Sequence, residues 1–208
     1  MVAEYSSKNQ KMFERYMIIP PHILFESTIP SFTNPRTLLR WMGKNIEYGW
    51  LDKSYKRHKG FDDWWKHYSL LLPEEVYKYK IGTCYDQTIF EHFIFSRDFP
   101  ELETKMIWIQ QYKISSHSFL VYKIPDSGKW NWFENSFYKV RGIHGPYPSI
   151  QNIVDDVHKA MNMHRSNDTQ DIPDTGFKWT IMDPKKFQRK LSAPQFYKVV
   201  GFDWSKSE

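Results

Sequence analysis

The apolar positions of this chain change rhythm along its length. Leu38, Leu39, Met42 and Ile46 recur at helical spacing. Asn34-Pro35 opens that run with a capping side chain and a proline at the first helical position, where no N–H is needed. A helix is therefore expected over 35–47. Phe61 to Leu71, carrying Trp64, Trp65 and Tyr68, reads as a second helix. Pro73-Glu74-Glu75 starts a short helical segment, its two acids where the helix dipole favours them, and Gly82 ends it. The next helix runs from Cys84 to Arg97. Thr83 caps it, Asp86 completes a capping box, and Ile89, Phe90, Phe93 and Ile94 form its buried stripe.

Strand-like runs follow. Lys105 to Gln110 is rich in strand formers, and Ser118 to Ile124 is a second run. Pro125-Asp126-Ser127-Gly128 is turn chemistry, so Lys129 to Phe137 returns as the partner strand of a hairpin. Gly142, Gly145, Pro146 and Pro148 mark a loop. Ser149 then opens a helix with Ile150, Ile153, Val154, Val157 and Met161 on one face. Residues 164–176 read as a long loop, Phe177 to Met182 as a strand, Asp183-Pro184 to Leu191 as a short helix, and Gln195 to Val200 as a last strand. Residues 1–11 are polar and expected to fray. Met12 to Pro30 reads as an extended arm. The order fits one α+β domain over 1–208, with helices preceding an antiparallel sheet.

Composition narrows the class. Nine Trp, thirteen Tyr and fifteen Phe supply much of the core. The formal net charge of +5 is mild and spread along the chain, densest at Lys53–Lys59 and Lys185–Lys190. These clusters read as solvated faces, which ranks nucleic-acid binding last. One cysteine excludes an internal disulfide, and no signal peptide is recognisable. A cytoplasmic location is expected. The apolar runs are too short for a membrane span.

The chemistry centres on Cys84. As first residue of a helix its sulfur lies at the positive end of the dipole, which favours thiolate. Unpaired N–H groups of the first turn can hold an oxyanion. His117 stands at a strand start and is the best-placed base among eight histidines. Glu134 is the expected orienting acid. A two-residue loop at Asp126-Ser127 sets Ser136 opposite His117 and Glu134 diagonal to it on the same face. A three-residue loop would bring in Asn135 instead. No metal or cofactor motif is present, so none is expected. Arg141 to Gly145 borders the Glu134 strand and reads as a turn.

Gly82-Thr83-Cys84-Tyr85-Asp86-Gln87, then His117 to Val121, then Trp130 to Glu134 together resemble the transglutaminase-like branch of the papain-type cysteine enzymes. The resemblance spans about residues 72–140. It implies a nucleophile helix packed on an antiparallel sheet and a Cys-His-acid triad carried by Cys84, His117 and Glu134. The usual family acid is aspartate, so glutamate is a departure. The family's second oxyanion donor is a side chain upstream of the cysteine. Trp64, Trp65, Tyr77 and Tyr79 are the candidates here, and Tyr85 is expected beneath the site.

The resemblance implies attack on a protein or peptide amide through a thioester, most simply by hydrolysis. Transfer to an amine and a catalytically silent binding protein are the alternatives.

Overall fold

The structure, a computed structural model, describes residues 28–61, 64–111, 114–165, 170–174, 176–187 and 190–201. The chain divides into two compact units, Met1–Ser31 and Phe32–Glu208. The fraying expected for 1–11 and the arm up to residue 27 lie outside the described residues.

The second unit is a mixed α+β structure. Helix α1 (Pro35–Asn45) begins where Asn34 Oδ1 accepts from the Thr37 N–H at 3.1 Å, and it buries Leu38 and Met42. Three two-residue strands follow: β1 (Glu47–Tyr48), β2 (Trp50–Leu51) and β3 (Arg57–His58). The expected helix over 61–71 is only one turn, α2 (Trp64–His67). The chain then extends, because its N–H groups find partners elsewhere. Leu70 donates to the Leu191 carbonyl at 2.7 Å and Leu71 to Asp86 Oδ1 at 2.7 Å. Helix α3 (Pro73–Tyr79) ends at Lys80, which takes a left-handed conformation with φ 55. The stop therefore falls two residues before Gly82. Strand β4 (Ile81–Gly82) pairs in parallel with β1, setting Tyr48 beside Gly82.

Helix α4 (Cys84–Asp98) follows directly. Its first two turns are buried all round, from Cys84 to Glu91, rather than along the expected stripe alone. The main sheet comes next. It comprises β5 (Thr104–Gln111), β6 (Ser115–Lys123), β7 (Trp130–Glu134), β8 (Gly142–Tyr147) and β9 (Phe177–Met182). Its order is β8-β7-β6-β5-β9, antiparallel throughout. Helix α5 (Ile150–Met163) presents Ile153, Val154, Val157 and Met161 to Phe119, Val121, Trp130 and Trp132. On the other side α4 packs Phe95 against Tyr122 and Phe133, with centroids 5.3 Å from each. Each such fully buried ring or branched side chain contributes about 1.5–3 kcal/mol.

Three more expectations are corrected. The loop expected over 142–148 is strand β8. Its Gly145 has φ 126, and a Cβ there would lie 2.4 Å from Asn131 Oδ1, so the position requires glycine. Pro146 is tolerated because β8 is an edge strand. The strand expected over 195–200 is helix α6 (Ala193–Val199). Ser192 donates through its N–H to Gln195 Oε1 at 2.9 Å, a cap that outweighs the strand-like run Phe196 to Val200. The helix expected from 184 is a short 3-10 turn over Pro184–Phe187.

Candidate active site

The sheet and α4 converge where β6 begins, β7 ends and α4 starts. Thr83 is the extended N-cap, and its N–H and hydroxyl both donate to Asp86 Oδ2, at 2.7 and 2.8 Å. The other oxygen of Asp86 accepts from the Tyr68 hydroxyl at 2.8 Å and the Leu71 N–H at 2.7 Å. One buried carboxyl thus ties the cap to the extended segment after α2. Burial pushes Asp86 up to about 6, against the pull of those donors. Gly82 is needed beside it, since a Cβ there would lie 2.9 Å from the Asp86 Cβ. These contacts fix Cys84 as the first helical residue, 3% exposed, with its N–H free of any intrahelical acceptor.

His117 is the third residue of β6, since the strand begins at Ser115 rather than at Ser118. Its Nε2 lies 2.7 Å from Glu134 Oε2. The register behind this contact matches the two-residue-loop expectation: Leu120 faces Phe133 and Val121 faces Trp132. The loop itself is longer. Ile124 donates to the Lys129 carbonyl at 2.7 Å, leaving Pro125 to Gly128 as the turn. The longer loop preserves the same pairs. β7 stops at Glu134, so Ser136 lies beyond the ladder. It donates to Glu134 Oε1 at 3.0 Å, joined by the Phe137 N–H at 2.7 Å, while Trp132 Nε1 donates to Oε2 at 3.2 Å.

Asn135, the alternative orienting residue, does not serve His117. Its Nδ2 donates to Gln87 Oε1 at 2.7 Å, and Gln87 Nε2 donates to the Gly82 carbonyl at 2.8 Å. This chain of amides links the acid strand to the nucleophile turn.

Burial lowers the affinity of His117 for a proton. The Glu134 charge and hydrogen bonds to Cys84 and Glu134 outweigh it and raise His117 to about 10. Burial would raise Glu134, but the His117 charge and its four donors hold it below the usual carboxylate range. Since Nε2 is committed to Glu134, the other ring nitrogen is the one available to the sulfur.

Tyr48 is the residue that sequence reasoning missed. The residue is 43% exposed, but its hydroxyl interacts with Cys84. It meets both the side chain and the backbone N–H of Cys84. Burial, followed by the Cys84 and Glu134 charges, holds this phenol well above its ordinary value, so it keeps its proton. The parallel pairing of β1 with β4 brings it there. The only local signal is a Tyr-Gly pair, Tyr48-Gly49, after a helix end.

The other upstream candidates are engaged elsewhere. Tyr77 stacks on Trp41, Tyr79 on Tyr55, and Trp64 packs on Tyr68 and Tyr85. The side chain of Trp65 lies outside the described residues. Tyr85, expected beneath the site, is buried and bonded through its hydroxyl to Ser116 Oγ and, at 3.2 Å, to the Tyr197 hydroxyl.

Glu91 was also unforeseen. It is 2% exposed, and burial together with the Glu134 charge pushes it well above the usual range.

A cavity of about 280 Å³ opens beside His117, with Tyr48, Ser136 and Phe137 among its walls. Phe137 stands edge-on to the imidazole, centroids 5.6 Å apart.

The remaining candidates are structural. Arg141 Nε donates to the Asn135 carbonyl at 3.0 Å. In the basic stretch at 53–59, Arg57 and Lys59 both pair with Glu47. Among the described residues no cluster of three His, Cys, Asp or Glu side chains could hold a metal, and no helix is long and apolar enough to cross a membrane.

No family model matches this chain, and no match appears among curated proteins.

Proposed function

We propose that the protein is a transglutaminase-like thiol enzyme that cleaves an amide bond through a thioester on Cys84. The single observation that carries this reading is the His117–Glu134 contact of 2.7 Å beside the Cys84 sulfur. A nucleophile opening a helix, a base on one strand and an acid on the adjacent strand support the family likeness.

Chemically, Sγ of Cys84 attacks the amide carbonyl carbon and forms the C–S bond. The carbonyl oxygen becomes an oxyanion, held by the Cys84 N–H and the Tyr48 hydroxyl. His117 gives its proton to the amide nitrogen, the C–N bond breaks and the amine leaves. A water, losing its proton to His117, then attacks the thioester carbon. The carboxylic acid departs and the Cys84–His117 pair is restored. Glu134 holds the imidazole by Nε2 throughout and stabilises the imidazolium.

The electrostatic interaction of His117 with Cys84 supports a thiol enzyme over a catalytically silent binding protein, which needs no such pair. Mixing with p-nitrophenyl acetate tests the proposal. A stoichiometric burst of p-nitrophenolate with acetyl mass on Cys84, absent in Cys84→Ala, is expected. No acetyl-cysteine at any time point would refute it.

A further inference from the structure

The cavity beside His117 is walled by His117 itself and not by Cys84. This placement bears on which half of an amide it receives, an inference that rests on the thiol-enzyme reading above. The ring nitrogen serving the sulfur must also protonate the leaving amine. The amine substituent therefore lies along the His117 flank, while the acyl group lies toward Cys84.

The cavity walls have a consistent chemistry. Phe137, Tyr138 and Met161 give an apolar body, and His164 and Arg165 close the far end. Phe137 packs edge-on between His117 and His164, centroids 5.6 and 5.8 Å away. Among the described residues no Asp or Glu lines the space.

Arg165 is anchored mainly by neutral acceptors. Its Nε and Nη2 both donate to Asn162 Oδ1, Nε at 3.0 Å, and its Nη1 donates to the Ile172 carbonyl at 2.6 Å. The Asp174 carboxylate is 4.0 Å from Nη2 and is shared with His158 and Asn162. The Arg165 side chain is 12% exposed and has the Asp174 carboxylate only at the edge of ion-pair distance. Asn162 takes the Nε–Nη2 edge, so a carboxylate would meet the remaining N–H groups of Nη1 and Nη2. The volume of about 280 Å³ is at the small end of ligand sites and suits one residue-sized group.

We propose that this cavity is the amine-side subsite and that it takes an apolar or aromatic α-amino acid unit with a free carboxylate, held by Arg165. The scissile amide is then one whose released amine is an amino acid.

Calorimetry on Cys84→Ala, which cannot turn substrate over, tests this with N-acetyl-L-phenylalanine and N-acetyl-L-phenylalaninamide. The free acid should bind at least tenfold more tightly than the amide, and Arg165→Gln should abolish the difference. Equal binding of the two probes, binding of neither, or a preference that survives Arg165→Gln would overturn the proposal. The comparison of probes with Arg165 intact stands without the variant, should that variant fail to fold. The p-nitrophenyl acetate burst reports separately on the thiol chemistry. A burst without carboxylate preference sinks the subsite alone, whereas carboxylate preference without a burst sinks the thiol reading and, with it, the amine-side assignment.

Discussion

His117 Nε2 lies 2.7 Å from Glu134 Oε2, and the two residues sit on neighbouring strands two positions out of direct register. The carboxylate also accepts from Ser136, Phe137 and Trp132, so its geometry is fixed from both oxygens. A glutamate so held can do what a shorter aspartate does elsewhere. Glu134→Gln should therefore lower the acylation rate by up to about 10⁴-fold. Asn135→Ala should cost far less, because Asn135 bonds to Gln87 and not to the imidazole. Burst kinetics of the two variants side by side decide between the two orienting residues.

The same pair gives stability a pH dependence. His117 is raised to about 10 in the fold, against about 6.5 when unfolded. Its contribution is fully present below pH 6.5 and is lost as pH rises through about 10. Glu134 is held low, so its contribution is present above its unfolded value and lost in acid. Denaturant unfolding should show wild-type stability falling between pH 7 and 10. Glu134→Gln removes the negative charge that does most to keep His117 protonated and should flatten that fall. Parallel pH profiles would contradict the ion pair.

Tyr48 presents its hydroxyl to the Cys84 sulfur and N–H. As an oxyanion donor it should be worth about 10²–10³-fold in rate. Tyr48→Phe should thus slow acylation by that factor with the fold unchanged. An equal or faster burst would mean that the phenol merely occupies the space a carbonyl oxygen must enter.

Asp86 accepts from four donors with no exposed surface. An asparagine offers one oxygen and turns two donors toward them. Asp86→Asn should cost about 2–6 kcal/mol, at about 1–3 for each of the two stranded donors. A fall in Tm of about 2–4 °C per kcal/mol is the expected readout. An unchanged Tm would show that the carboxyl does not hold the turn.

Local chemistry carried much of this site into the sequence. Thr83 and Asp86 announce a helix start at Cys84, and Pro125 to Gly128 announces a turn, but the turn's length, and with it the parity of the hairpin, is set by the observed register. That parity alone puts Glu134 on the face of His117. What depends on distant partners was illegible. Tyr48 arrives through a two-residue parallel pairing, which leaves no periodic trace. The segment after α2 abandons its helical pattern because Asp86 and Leu191 offer its N–H groups better partners. The run Phe196 to Val200 has strand composition, but Ser192 and Gln195 cap a helix there. The amphipathic reading of α4 failed where the helix is enclosed on every side, since burial there follows the fold rather than a stripe.

The central claim is that Cys84 and His117 act as one unit. The protein contains a single cysteine, so alkylation by iodoacetamide reports on that residue alone. Because burial slows access, the shape of the pH profile is informative and the absolute rate is not. Beside an imidazole that stays protonated up to about 10, the sulfur should show a pH profile that His117→Ala changes in shape. Superimposable pH profiles of the wild type and His117→Ala would contradict the account.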